Sequence, residues 1–345
     1  MLKKSKSLAI SLKSNLAIVI TTLFYGLTAL MSVPRAWAAE PLLEINYGLP
    51  NANHATVFVA EDLGLFEKAG LKPKFYTFLS GAPLLAGLKS ESLDVVTAGL
   101  ALALALGQDI PLKFIYWEAN SAISEGLVVN PKSDIKSYAD ILKAKKIGAA
   151  TGTCAQVSLY MLAKKAGVDY SKLDVVNLPA PLFRNAFISG SIDAGVAWPP
   201  FSLQLQSEGY PIVAFDEQYT PPGGLCPGLT AVRPAFLKQH PEVGLKLVQV
   251  EAMAREAIAK NPKLAIDAYI KRQKLSHEVA KATVERECCD RGVPSFAAQV
   301  DPKSPYSMTS KDGLAAKLIM AIDALHAMGS IPARIPDKLV QDAVE

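Results

Sequence analysis

The feature that most constrains this chain is a segment that occurs twice. "APLLAGLKSESLDVVTAG" begins at Ala82, and "APLFRNAFISGSIDAGVAW" begins at Ala180. Both open Ala-Pro-Leu, run through a short amphipathic stretch and reach Ser-x-Ser-(Leu/Ile)-Asp-x-x-x-Ala, with one residue inserted in the second copy. The pattern predicts helix, tight turn and buried strand in each, the strands running from Asp94 to Ala98 and from Asp193 to Ala197. Pro83 and Pro181 suit a first helical turn, where a missing amide hydrogen costs little. Further strand candidates are "LLEINYG", "KFYTF", "LKFIYW", "KKIGAA" and "DVVNL". Their short continuous apolar runs alternate with helices, as strands covered on both faces do. The fold class is therefore α/β, with two similar sheets.

A second constraint is the stretch "IGAATGTCAQVSLYMLAKKAG", Ile147 to Gly167. Ala155, Leu159, Leu162, Ala163 and Ala166 recur at helical spacing, and Gly167 stands where a left-handed cap ends a helix. The small, uncharged corner Thr151-Gly152-Thr153-Cys154 is thus the amino end of that helix, carrying unpaired amides and partial positive charge. A threonine there serves either as an ordinary N-cap or as part of a seat for an anionic or polar ligand.

Residues 1–38 belong to an export signal rather than to the fold. Lysines lead into "NLAIVITTLFYGLTALM", and the Ala36-Trp37-Ala38 pattern behind it predicts cleavage near Ala38. Five of the 36 basic residues and none of the 32 acidic ones lie there, which leaves 31 basic residues in the mature chain, close to neutrality. No basic run with interleaved aromatics remains, so nucleic acid is not an expected partner. A mature chain of about 300 residues suits two domains, and the expected location is the periplasm. In that oxidising compartment Cys154, Cys226, Cys288 and Cys289 permit three full pairings. Cys154 and Cys226 both sit in Gly-rich corners, which makes a bond between them one option, while the adjacent Cys288-Cys289 reads as two buried thiols. No metal-site spacing and no cofactor motif is found, and the four histidines are scattered.

The chain is expected to leave the first lobe through "GLVVN" and to return through "GLTAVRP". Lobe 1 is then 39–127 plus 231–345, and lobe 2 is 128–230. The helical patterns after Pro234 are assigned to the first lobe. Two crossover segments make a hinged pair of lobes able to close on a ligand.

"HATVFVAEDLGLFEKAGLKPKF" followed by "SGAPLLAGLKSESLDVVTAG" resembles the start of the taurine, aliphatic-sulfonate and nitrate solute-binding proteins of ABC importers. That family also includes binders of pyrimidine precursors of thiamine. "GAATGTCAQVSLYML" and "SGSIDAGVAWPP" resemble its second corner and its Ala-x-Trp-x-Pro ending. The resemblance implies the type II periplasmic-binding-protein fold, capture of a small solute and delivery to an inner-membrane ABC permease.

Under that reading the ligand contacts are Ser80, Gly81 and Ala82 at one helix start and Thr151, Gly152, Thr153 and Cys154 at its counterpart. Gly99, Trp198, Asn53 and His54 complete the wall, and Glu118 is the candidate partner for a ligand ammonium. Gly152 lets the backbone approach closely. No Lys or Arg occupies these corners, so a neutral-amide seat suits a sulfonate, nitrate or polar heterocycle. The first alternative is a binder of a pyrimidine-type thiamine precursor, and the second is an enzyme on the same scaffold. Against it, the sequence has no Gly-x-Ser-x-Gly elbow, Walker motif or dinucleotide glycine triplet, and "ECCD" does not reproduce the cysteine-rich motif of pyrimidine-synthase relatives. The expected product is a monomeric binding protein with no catalytic residues.

Overall fold

The computed structural model describes residues 41–287 and 292–344; the export signal and Cys288-Cys289 lie outside the described residues. In chain order its first half is β1 (Leu43–Pro50), α1 (Ala55–Asp62), β2 (Leu71–Phe78), α2 (Gly81–Lys89), β3 (Val95–Ala98), α3 (Ala101–Leu106) and β4 (Lys113–Asn120). Then come β5 (Gly126–Val129), β6 (Ile147–Ala149), α4 (Cys154–Lys165), β7 (Val175–Asn177), α5 (Phe183–Ser189), β8 (Ala194–Ala197), α6 (Phe201–Ser207) and β9 (Ile212–Phe215). Strand β10 (Pro227–Val232) precedes the helices α7 (Val243–Lys260), α8 (Lys263–Gln273), α9 (His277–Glu287), α10 (Leu314–Ala327) and α11 (Asp337–Val344).

The repeat has the same local chemistry in both copies. Ser90 and Ser92 donate to the Gly87 carbonyl at 3.2 and 3.1 Å, and Ser189 and Ser191 donate to the Ala186 carbonyl at 3.1 and 3.2 Å. Each serine pair thereby joins the backbone amides of Ser92 and Ser191 on a helix-end carbonyl and fastens the turn that follows. The aspartate that follows ties the new strand to its parallel neighbour. Asp94 accepts the Asn46 amide at 2.9 Å, and Asp193 accepts the Lys145 and Lys146 amides at 2.8 and 3.1 Å.

These units build two five-stranded sheets of one topology, β2-β1-β3-β10-β4 and β7-β6-β8-β5-β9. In the first, β1 runs parallel to β2 and β3 while β10 is antiparallel to its neighbours; in the second, β6 runs parallel to β7 and β8 while β5 is antiparallel. "GLVVN" and "GLTAVRP" contain β5 and β10, so the segments expected to run between the sheets each supply the antiparallel strand of one. The actual crossings are 121–125 and 216–226.

Adjacent strand residues enter opposite cores, which explains the unbroken apolar runs. Val95 packs with Tyr47, Leu247 and Tyr269, whereas Val96 packs with Leu84, Leu318 and Ile322. Helices α7 to α9 thus cover one face of the first sheet, and α10 and α11 cover the other. In the second sheet a Cβ at Gly195 would lie 2.4 Å from the Phe183 ring, so the glycine is what lets that ring lie on the strand.

Candidate functional site

A cavity of about 70 Å³ lies between the sheets, at the carboxyl ends of their parallel strands. Helix amino ends surround it. His54 before α1, Gly81 at the start of α2, Leu100 before α3 and Thr153 before α4 all line the space. No side chain caps any of these four helices, and none carries an acidic residue in its first turn. The Thr153 hydroxyl instead donates backward to the Ala150 carbonyl at 2.7 Å. The ordinary N-cap role is therefore not taken up, and the helix ends keep their positive potential for something else. No Lys or Arg lines the cavity among the described residues.

Of the residues expected from sequence, Asn53, His54, Gly81, Gly99, Glu118, Thr153, Cys154 and Trp198 line this cavity. Ser80, Ala82, Thr151 and Gly152 do not. Ser80 is buried behind Gly81, and Ala82 is exposed. The Thr151 amide is taken by Asn177 Oδ1 at 3.0 Å and the Gly152 amide by Gln156 Oε1 at 2.9 Å. Gly152 has a φ of 70°, the region glycine favours, but a Cβ there would meet Leu104 Cδ1 at 3.0 Å rather than open space. The expectation for that half of the corner is corrected: its amides are already satisfied, and it packs on α3.

Cys154 is disulfide-bonded to Cys226, with the Cα atoms 5.3 Å apart. The bond ties the tip of α4 to the foot of β10, so it crosses from one sheet's layer to the other's. It also lies directly on Gly99, where a Cβ would be 2.9 Å from Cys154 Sγ. Trp198 itself spans the gap, its Nε1 donating to the Asn51 carbonyl at 3.1 Å.

His54 and Glu118 are both buried, with His54 Nδ1 3.2 Å from each carboxylate oxygen. Glu118 is the candidate partner for a ligand ammonium. It lies inside β4 with its carboxylate facing the imidazole, which turns Nε2 away from that bond, buried and without a partner.

Sequence reasoning missed the crossing segments. Glu125, fully buried, lines the cavity beside the disulfide. Its Oε2 is 2.8 Å from Cys226 Sγ. A disulfide sulfur has no proton to give, so the carboxylic acid form closes that contact. Burial, then the charge of Asp216, pushes Glu125 up toward that form, and burial pushes Asp216 up to about 7. Glu125, Cys154 and Cys226 cluster as metal ligands would, but the disulfide leaves no thiolate to bind a metal.

A protein-family profile described as NMT1/THI5 like matches residues 51–265. The chain belongs to the NMT1/THI5-like family. It is 28% identical over 218 residues to a putative aliphatic sulfonates-binding protein of Bacillus subtilis (strain 168), covering 61% of this chain and 64% of that protein. It is also 28% identical over 231 residues to a putative binding protein of Brucella abortus (strain 2308), covering 66% and 69%. Among solved structures, this NMT1/THI5-like chain resembles the alkanesulfonate-binding protein SsuA of Xanthomonas axonopodis pv. citri bound to MOPS. The TM-score is 0.73 at 21% identity, over 89% of this chain and 99% of that one. The nitrate-binding protein NrtA of Synechocystis PCC 6803 gives 0.68 at 14% identity, over 87% and 85%. These likenesses fix the fold as that of the periplasmic binding proteins, and these relatives are binding proteins rather than enzymes. Among the described residues no helix is long and apolar enough to cross a membrane.

Proposed function

We propose that this chain is an exported solute-binding protein. It captures a small anionic or zwitterionic solute, of the sulfonate, taurine or nitrate kind, between two lobes and delivers it to an inner-membrane ABC permease. The lobes are the two expected from the sequence, with their boundaries moved into the crossings 121–125 and 216–226 so that β5 stays with the second sheet and β10 with the first; the export signal is removed near Ala38, and the mature protein works as a periplasmic monomer without catalysis. The observation that carries this reading is the set of uncapped helix amino ends from both sheets around one cavity that no Lys or Arg lines among the described residues. A buried helix end stabilises an anion by up to about 2 kcal/mol, so several ends together supply affinity without a fixed positive charge. The aliphatic-sulfonate and nitrate relatives support the same solute class. A pyrimidine-type thiamine precursor is the second reading, favoured by the Glu118 and Glu125 carboxyls on the wall.

A thermal-shift titration with taurine, ethanesulfonate and nitrate tests the reading. Ligand at 100 times its Kd adds about 2.7 kcal/mol to stability by mass action. Mass spectrometry of the recovered ligand should show it unchanged. Absence of a shift with all three compounds would remove the anion reading, and ligand turnover would favour an enzyme.

A further inference from the structure

A seat for an anion is a poor place for acids, yet the cleft wall holds two, Glu118 and Glu125. Glu118 faces the His54 imidazole. Glu125 stands at the end of the first crossing, 121–125, with none of its surface exposed, and among the described residues no cation pairs with it. Its Oε1 is buried without a partner, and its Oε2 meets the Cys226 sulfur at 2.8 Å.

The charged and titratable groups around Glu125 are committed elsewhere or are acids themselves. The second crossing brings Asp216, whose amide donates to the Glu125 carbonyl at 2.9 Å and whose Oδ1 is also buried and unpartnered. Behind it the Tyr219 hydroxyl pairs with Ser158 of α4 at 2.9 Å, and Glu217 is exposed. From α9, Arg286 donates to the Ile123 carbonyl and lies over the Phe215 ring, while Glu287 accepts from the Ser124 hydroxyl. From α10, the Lys317 ammonium donates to the Pro222 carbonyl. Across the cleft stand His54 and Glu118. Burial, then the charge of Asp216, favours the neutral acid at Glu125.

A neutral acid has one proton to donate, and here it rests on a weak acceptor. Disulfide sulfur accepts hydrogen bonds poorly, whereas an O–H bond to an oxyanion is charge-assisted and about twice as strong as a neutral one. An oxyanion arriving among the helix ends therefore offers that proton a better place than Cys226 does. We propose that Glu125 is a ligand-contacting residue: its acid O–H leaves the Cys226 sulfur and donates to the oxyanion of the solute, so that binding is linked to one proton. This deepens the solute-binding reading and rests on it. Helix ends attract an anion at any pH. The Glu125 donor, by contrast, is lost when the acid ionises, and the carboxylate left behind repels the same anion. Kd should then be constant while Glu125 is protonated and rise by about tenfold per pH unit once it is not.

The test is calorimetric titration of the mature protein with ethanesulfonate, the anion of a strong acid, which keeps its charge throughout. The range is about pH 5 to about pH 9, spanning ordinary and raised carboxyl values. Two buffers of different ionisation enthalpy at each pH count the protons taken up. The proposal expects a flat acid limb, an alkaline limb rising toward tenfold per unit, and uptake approaching one proton on that limb. Glu125→Gln keeps a donor in the same shape but cannot ionise, so it should bind with neither slope nor proton uptake. Glu125→Ala removes the donor and should bind about tenfold more weakly on the acid limb, again without the slope. If ethanesulfonate binds the parent with a flat profile, or Glu125→Gln keeps the slope, Glu125 is not the donor and the solute-binding reading stands. Tighter binding at higher pH with protons released would mean a carboxylate accepting from the solute, which also overturns the proposal. If ethanesulfonate binds at no pH, the solute-binding reading fails and takes this proposal with it.

Discussion

Replacing both Cys154 and Cys226 with serine should lower stability by an amount that the chain topology sets. The bond closes a loop across a sequence separation of 72 residues. In the chain-entropy account, releasing a loop of that length frees about 15 cal/mol/K in the unfolded ensemble, or about 4 kcal/mol at room temperature. For about 300 ordered residues the unfolding entropy near the midpoint is about 0.6 kcal/mol per degree, so Tm should fall by about 7 °C. The bond is also a third connection between the layers, besides the crossings at 121–125 and 216–226. Any opening must keep the two Cα atoms within disulfide reach, roughly 4.4–6.8 Å, so the lobes pivot near this point. The double variant should therefore exchange ligand faster as well as melt earlier. Differential scanning calorimetry gives the first number and stopped-flow binding the second. Peptide mapping of unreduced protein checks that the bond is present. A variant that melts within about 2 °C of the parent, on protein whose 154–226 link is confirmed, would refute the reasoning.

Three further outcomes follow from the same geometry. Burial raises Glu287 to about 8 and Asp216 to about 7. Between their unfolded values near 4 and those pKa values the native state holds more protons, so the stability these two groups contribute is fullest below about pH 4 and falls as pH rises to about 8, by up to about 1.4 kcal/mol per unit for each group; melting curves across that range check it, and Glu287→Gln should flatten the upper end. Trp198→Phe removes the donor to Asn51 and should cost about 1 kcal/mol of ligand affinity in titration, while an unchanged Kd would leave the indole a packing residue only. His54→Ala leaves Glu118 buried without its partner and should weaken ethanesulfonate binding at least tenfold, and equal binding would take His54 out of the site.

Much of the architecture was legible because the repeat carries its own local chemistry. Ser90-x-Ser92 and Ser189-x-Ser191 close helix ends within five residues and so leave a local pattern, and Asp94 and Asp193 stand at the same place in each copy although the strands they pin lie 48 positions away. The antiparallel strands β5 and β10 were read as connectors because four to six apolar residues between turns look the same in either role. The helix starts at Gly81 and Thr153 were also visible. What was not visible is which amides stay open. That depends on Asn177 and Gln156, whose side chains satisfy the Thr151 and Gly152 amides. Nor does periodicity reveal a pair such as His54 and Glu118, separated by 64 positions and brought together only by sheet packing. Glu125 belongs to the crossing segment 121–125, where sequence carries no repeat to follow.

The most direct measurement is an amide NMR titration of nitrogen-labelled mature protein with ethanesulfonate, following the backbone signals of Gly81 from the first lobe and Cys154 from the second. The account predicts that both move, saturably and with a single Kd, because one anion touches helix ends on either side. Movement confined to one of them, or two unrelated Kd values, would contradict it.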